Sequence, residues 1–256
     1  MKTAPKKAAP ATRMTLAEAM AALERAGSAQ TRKTYARHGA TEPMFGVSFA
    51  VLSGLVKRIR VDQDLALELW DTGNFDARNL AVKVADPARI SPADLDRWAG
   101  GMRTRMCAGY VAMLAAESPH GRAKARQWLA ASDEGLRCAG WGVLSQLSQR
   151  DAAAPDSMFT DALKRIEKSI HSAPNAEREA MNGALIALGC RSVALRKAAT
   201  AAAKRIGKVE IDHGDTSCKT PDAAQYIEKT WGYSTSKGFE SPAAQERTRE
   251  SQRTRC

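Results

Sequence analysis

The sequence predicts an all-helical repeat protein, and three observations predict it. The apolar fraction, 44% of 256 residues, is carried mainly by Ala, Leu, Val and Met, whereas aromatic residues make up only 5%. That is a helix-forming rather than a strand-forming set. No run alternates with period two over six residues, and no Asn-Gly or Asp-Gly turn lies between β-branched runs. A unit of helix, short turn and helix recurs along the middle of the chain, as expected of a solenoid.

Taken in order, residues 1–13 are basic, rich in Pro and Ala, and free of acids. They read as a disordered basic arm, without the apolar run of a secretory signal. The helical domain is expected over 14–233. Its first helix runs from Thr15 to Gly27, and a second lies around 30–37. Gly39, Pro43 and Gly46 mark a turn before a third helix. Further helices follow, one stopping at Thr72-Gly73 and the next beginning at Phe75. Ser91-Pro92-Ala93-Asp94 combines an N-cap serine, a proline at the first helical position and a carboxylate at the third. Ser118-Pro119 and Thr220-Pro221 repeat the cap-then-proline signal, and Gly73, Gly189 and Gly207 fit helix ends. The total is about a dozen helices and no sheet. From 234 to 256 the chain is polar, Arg-rich and aperiodic, which reads as a disordered polar tail.

The second helices of successive pairs share an Arg followed closely by Ala: Arg78 to Ala81, Arg105 to Ala108, Arg137 to Ala139, and more faintly Arg178 to Ala180. The spacings, roughly 27 to 41 residues, lie in and just below the helical-repeat range. Alanine lets helices approach closely, and the arginines are expected on one common face, the concave surface of a solenoid. A formal net charge of +11 points to a polyanionic partner, nucleic acid before an anionic membrane. No segment has the roughly 18 consecutive apolar residues that span a bilayer. Five cysteines, odd in number and without a CxxC pair, are expected to be free thiols in a reducing, cytoplasmic compartment.

Two stretches carry a resemblance. Tyr35-Ala36-Arg37-His38-Gly39 leads to Met44-Phe45-Gly46-Val47, and Leu69 to Arg78 reads LWDTGNFDAR. With the segment from Gly207 to Asp222, these resemble the AlkD-like DNA alkylation repair family over roughly residues 15–231. The resemblance implies a HEAT-like solenoid holding duplex or damaged DNA in a basic concave groove, most simply as a monomer and nucleoid-associated when bound. The characterised glycosylases of that family release cationic N3- or N7-alkylated purines without metal or organic cofactor, and without fully flipping the damaged base. Such chemistry needs a carboxylate beside the sugar whose positive charge develops, indole faces near it, and an arginine on the phosphate. The family pattern places a Trp four residues before the catalytic Asp. Here Trp98 fills the first place and Met102 the second. The phosphate-binding arginine falls on Arg137, and the second groove Trp falls near Asn182-Gly183, where no aromatic stands.

The chain is therefore read as a DNA-binding member of the family that lacks the usual catalytic aspartate. The candidate DNA contacts are Trp98, Arg137, Arg78, Arg103, Arg105, Tyr35, Arg37 and His38. The enzymatic alternative is an alkylpurine glycosylase in which Asp94 or Asp96 supplies a relocated carboxylate, facing the groove near Trp98. A third reading is a protein-binding scaffold, which would need an apolar stripe along the concave face. Trp70, Trp128 and Trp141 are expected in the core, and Glu167 and Glu177 as ordinary helix-surface charges that do not form a carboxylate pair with each other. Asp212, His213, Asp215 and Cys218 offer ligand types in one loop, but one His and one Cys without a second pair do not make a metal site, so no metal is expected.

Overall fold

The computed structural model of the chain describes residues 13–41, 43–101 and 105–255, the last block without the side chains of Arg105 and Met106. Among the described residues there are fourteen helices and no strand. Three helices, α1 (Leu16–Ala26), α2 (Ala29–Arg37) and α3 (Phe49–Ile59), precede five helix pairs. The pairs are α4 (Gln63–Asp71) with α5 (Phe75–Val84), α6 (Pro92–Gly101) with α7 (Arg105–Glu117), and α8 (Gly121–Leu129) with α9 (Glu134–Arg150). Then come α10 (Asp156–Ser169) with α11 (Asn175–Gly189), and α12 (Val193–Ile206) with α13 (Ala223–Ser236). The second helices stack on one another in order, α5 on α7, α7 on α9, α9 on α11 and α11 on α13. The result is a HEAT-like solenoid of two helical rows.

Local chemistry starts these helices where the sequence says it should. Thr15 and Glu18 form a reciprocal capping box, and Ser48, Asp62, Asn74, Asp133 and Ser192 each accept a backbone N–H from the first turn. Ser91 accepts the Asp94 N–H at 3.0 Å and donates to its carboxylate at 2.6 Å. The other two proline signals are displaced. The Ser118 hydroxyl accepts the His120 N–H in a turn, and α8 begins only at Gly121. The Thr220 hydroxyl is engaged by the His213 ring at 3.0 Å, so Asp222 caps α13 instead. Gly73 and Gly207 end their helices at positive φ, as expected. Gly189 serves packing: a Cβ there would stand 2.5 Å from Ile227 Cδ1 on α13.

The two stretches that carry the family resemblance meet in space. Fully buried Asp76 accepts three backbone N–H groups, from Phe45 at 2.7 Å, Gly46 at 2.9 Å and Val47 at 2.8 Å. Tyr35, buried between Phe49 and Phe75, donates its hydroxyl to the Val47 carbonyl at 2.5 Å. A buried carboxylate is tolerated because every oxygen has a donor. These residues dock the N-terminal helices onto the first pair.

The basic arm lies outside the described residues except for Arg13, whose guanidinium pairs with Asp62 and Asp64. Residues 234–255, expected to be a disordered tail, instead form an ordered strap. Ser234 is still in α13, α14 (Pro242–Arg247) follows, and the chain then runs back across the C-terminal ends of α9, α7 and α5. Ala243 N–H donates to the Cys190 carbonyl, and Arg150 holds the Glu246 carboxylate and the Arg249 carbonyl. Arg253 is 3% exposed and donates to the carbonyls of Val82, Lys83 and Ala85 and to Glu117. In return the buried Lys83 ammonium donates to the carbonyls of Arg253 and Arg255. The strap lacks apolar periodicity because cations on helix-end carbonyls hold it, and such docking leaves no period in the sequence.

Arg253→Ala would leave one oxygen of Glu117 and three carbonyls without this donor. It should destabilise the fold by about 3 kcal/mol, lowering the melting temperature by about 10 °C, whereas a loose tail would leave it unchanged. Calorimetry decides between the two. Thiol labelling checks the core in a second way. Burial pushes the thiols of Cys138 and Cys190 up to about 12, and Cys107 is fully buried. At pH 7.5 a maleimide followed by mass spectrometry should modify exposed Cys218 within minutes and these three only after unfolding.

Candidate nucleic-acid interface

The aromatic and carboxylate candidates sit in the row formed by the first helices of the pairs. Trp98 is fully buried and stacks on Trp70 at 4.4 Å with an interplanar angle of 7°. It is a core residue joining α4 to α6, so the expectation that it faces a groove is corrected. Its indole N–H finds no acceptor among the described residues. Trp70, Trp128, Trp141 and Trp231 are buried as well.

Asp94 and Asp96 are both engaged. Asp94 closes the helix cap with Ser91 and holds Arg97 at 3.0 Å, and Arg97 in turn reaches Asp71 on α4. Asp96 bridges to α8, accepting from the Lys124 ammonium at 2.7 Å and the Trp128 indole at 2.7 Å. Burial alone would raise the Asp96 carboxyl. The hydrogen bonds from Lys124, Trp128 and Gln127, with the Lys124 charge, outweigh it and hold the group below its usual range. The expectation that one of these acids faces a groove beside Trp98 is therefore corrected: Asp94 closes its own helix cap, and Asp96 ties α6 to α8.

The repeated arginines have a shared position and a shared task. Arg78, Arg137 and Arg178 each stand at the fourth residue of a second-row helix. Each donates to carbonyls at the end of the preceding first-row helix or the turn beyond it. Arg78 reaches the Trp70 carbonyl at 3.4 Å and that of Gly101 at 3.3 Å, with its guanidinium over the Trp70 ring. Arg137 reaches Ala131 and Ser132 at 3.2 and 2.6 Å. Arg178 reaches Ala173 at 2.9 Å and His171 at 3.4 Å. The Arg–Ala signal thus marks an intra-repeat clamp, in place of a row of free cations. Arg105 carries the same Arg–Ala sequence pattern, but its side chain and all of Arg103 lie outside the described residues, as does Met102.

Sequence reasoning missed Glu177, which is 4% exposed and far from a surface charge. One oxygen accepts Arg137 Nε at 2.7 Å and the other the Trp141 indole N–H at 3.3 Å. The Glu177 hydrogen bond raises Arg137 above its ordinary value. Carboxylate, indole and arginine therefore meet between α9 and α11, although Nη2 of Arg137 makes no internal hydrogen bond among the described residues. The only signal available was the fourth-position arginine on both helices, which places residue 177 beside the incoming Arg137. Glu167 is a helix charge as expected and binds Arg205.

The N-terminal cluster divides. Tyr35 is buried and structural, correcting its assignment as a contact, whereas Arg37 and His38 are exposed at the end of α2. Lys33, Lys57, Arg58 and Arg60 are exposed nearby in sequence and have no carboxylate within ion-pair distance among the described residues. Arg60, at the C-cap of α3, has the one positive φ among described non-glycine residues, 63°. In the 207–222 loop, Asp212 accepts the Gly214 N–H, and no metal-holding group of three or more ligand side chains exists among the described residues. No described helix is long and apolar enough to cross a membrane.

A two-row helical solenoid with arginine-clamped repeats is the class these features define. Residues 19–227 match the model of the DNA alkylation repair enzyme family, and the chain belongs to that family. It is 27% identical over 210 residues to the uncharacterized protein Lin0241 of Listeria innocua, covering 78% of this chain and 89% of that protein. It is 26% identical over 206 residues to Lmo0209 of Listeria monocytogenes, with the same coverage. A solved structure described as "a new family of proteins related to the HEAT-like repeat DNA glycosylases with affinity for branched DNA structures" is similar at a TM-score of 0.78 and 34% identity, over 86% of this chain and 95% of that one.

Asp96→Asn should cost about 1 kcal/mol, a modest figure because the carboxylate is partly screened by solvent. The sign with pH follows from its lowered value. The contribution is complete above the unfolded carboxyl value near 4 and disappears as pH falls through the lower folded value. Urea unfolding of both proteins should therefore show a constant gap from pH 7 to 5 that closes below about pH 4. A gap that persists at pH 2.5 would contradict the Asp96–Lys124 bridge.

Proposed function

We propose that the protein binds DNA, with branched or distorted forms favoured, and grips it chiefly through phosphates. The observation that carries this reading is the 34% identity, over 86% of the chain, to a protein of a family with affinity for branched DNA. Cations left uncommitted by the fold support it: Lys33, Arg37, Lys57, Arg58 and Arg60 are exposed and available to a polyanion. Arg137 is the phosphate-gripping candidate that the family resemblance implies. Glu177 and two carbonyls fix its orientation, and its Nη2 is left for a phosphate oxygen.

The standard alkylpurine glycosylase reaction is not part of the proposal. Met102 stands where the family resemblance implies the aspartate, Trp98 is buried against Trp70, Asp94 is bound to Ser91 and Arg97 of its own helix, and Asp96 bridges to α8. A thioether cannot stabilise a cationic sugar.

Binding of a four-way junction and of linear duplex, measured by fluorescence anisotropy at 50 and 200 mM salt, tests the reading. The junction should bind more tightly, and the affinity for either form should fall by about a hundredfold or more between the two salts. Arg37→Ala and Arg137→Ala should each weaken binding several-fold. Equal, salt-insensitive and weak binding of both forms would refute the proposal. Release of 7-methylguanine that is lost in Asp94→Asn or Asp96→Asn would establish the glycosylase alternative.

A further inference from the structure

A cavity of about 710 Å³ lies where α11, α12 and α13 meet the 207–222 loop. Its buried wall is mostly apolar, formed by Leu185, Ala203, Val209 and Ala223, and it contains one carboxamide, Asn182, which is 2% exposed. The Asn182 amide nitrogen donates to the Pro221 carbonyl at 3.1 Å, which leaves Oδ1 as a free acceptor, buried and without a partner. His213 also lines the cavity. Its Nε2 meets the Thr220 hydroxyl, while Nδ1 is buried, without a hydrogen-bond partner, and 3.9 Å from Glu179. Arg178, which holds the loop through the Glu210 carbonyl, has an unpartnered buried Nε. Two of the five such orphaned side-chain atoms among the described residues therefore line this one cavity, and a third, on Arg178, belongs to the side chain that holds its loop. Native structures leave few buried polar atoms unsatisfied, and a concentration of them in a cavity implies a ligand that supplies their partners. Lys204 and Lys219 line the same cavity and are exposed, with no ion pair among the described residues.

We propose that this cavity receives one unpaired nucleotide of a DNA strand. A flat base fits apolar walls, an edge N–H of the base would meet Asn182 Oδ1, and its phosphates would meet Lys204 and Lys219. The strand as source rests on the DNA-binding reading above. The consequence is specific: an extrahelical base at a bulge or branch point is held outside the helix, where the family's glycosylases work without full flipping. No bond is broken in this step.

The test compares a duplex carrying a single bulged adenine, the same duplex with an abasic bulge, and the unbulged duplex. Wild-type protein should favour the adenine bulge over the abasic one by about tenfold, and a bulged 2-aminopurine should brighten as it leaves the stack. Asn182→Leu should bring the ratio close to one while leaving unbulged duplex binding unchanged. Should that variant fail to fold, the exposed double substitution Lys204→Ala and Lys219→Ala serves instead. It should weaken binding of the bulged adenine about fivefold more than that of unbulged duplex. Tight, salt-sensitive binding with equal affinity for the two bulges would overturn the cavity proposal alone. Absence of salt-sensitive DNA binding would overturn it together with the reading on which it rests.

Discussion

Every α-helix ends with carbonyls that its own backbone cannot satisfy, and a stack of helix pairs accumulates many such ends. In this protein arginine side chains answer that constraint. Arg78, Arg137 and Arg178 close first-row helix ends from the start of the second-row helices. Arg191, 8% exposed, gathers the carbonyls of Ser148, Asp151 and Ala154 at the end of α9, with Asp156 balancing its charge. Arg253 does the same for α5. The guanidinium suits the task because its five N–H groups fan out in one plane and reach several carbonyls at once, and its charge complements the negative end of the helix.

This changes what the basic composition means. A net charge of +11 suggests a surface wholly given over to an anionic partner, yet a good part of the arginine is built into the frame. Among the described residues, exposed cations without an ion pair include Lys33 and Arg37 on α2, Lys57, Arg58 and Arg60 at the end of α3, and Lys197, Lys204 and Lys219 on α12 and the loop beyond it, with single ones on other helices. The cations available to a polyanionic partner are thus the ones the fold has not used. Arg137 is held by Glu177 and by two carbonyls, so its orientation is fixed by the fold.

The same economy governs the aromatic and acidic residues. Trp70 and Trp98 stack face to face and join successive first-row helices, and Asp96 continues the row to α8 through Lys124 and Trp128. Asp76 anchors the N-terminal segment by three backbone hydrogen bonds. Residues that resemble a catalytic constellation in sequence are here the mortar between repeats.

The sequence by itself determined the helical class, most helix starts and the repeat. Side-chain caps, helix propensity and the recurrence of Arg–Ala are local properties that read directly from neighbouring residues. It also places Met102, four residues after Trp98, where the family resemblance implies an aspartate. Tertiary structure alone decided where the charges went. Whether Arg137 or Glu177 is a surface charge depends on a helix 40 positions away, and whether the last twenty residues are loose depends on helix ends as distant as Val82. Trp98 has the same composition around it in either orientation; only the approach of Trp70 buries it. Pairing between distant polar groups leaves no periodicity, so neither the strap nor the orphaned acceptor of Asn182 could be read from the chain.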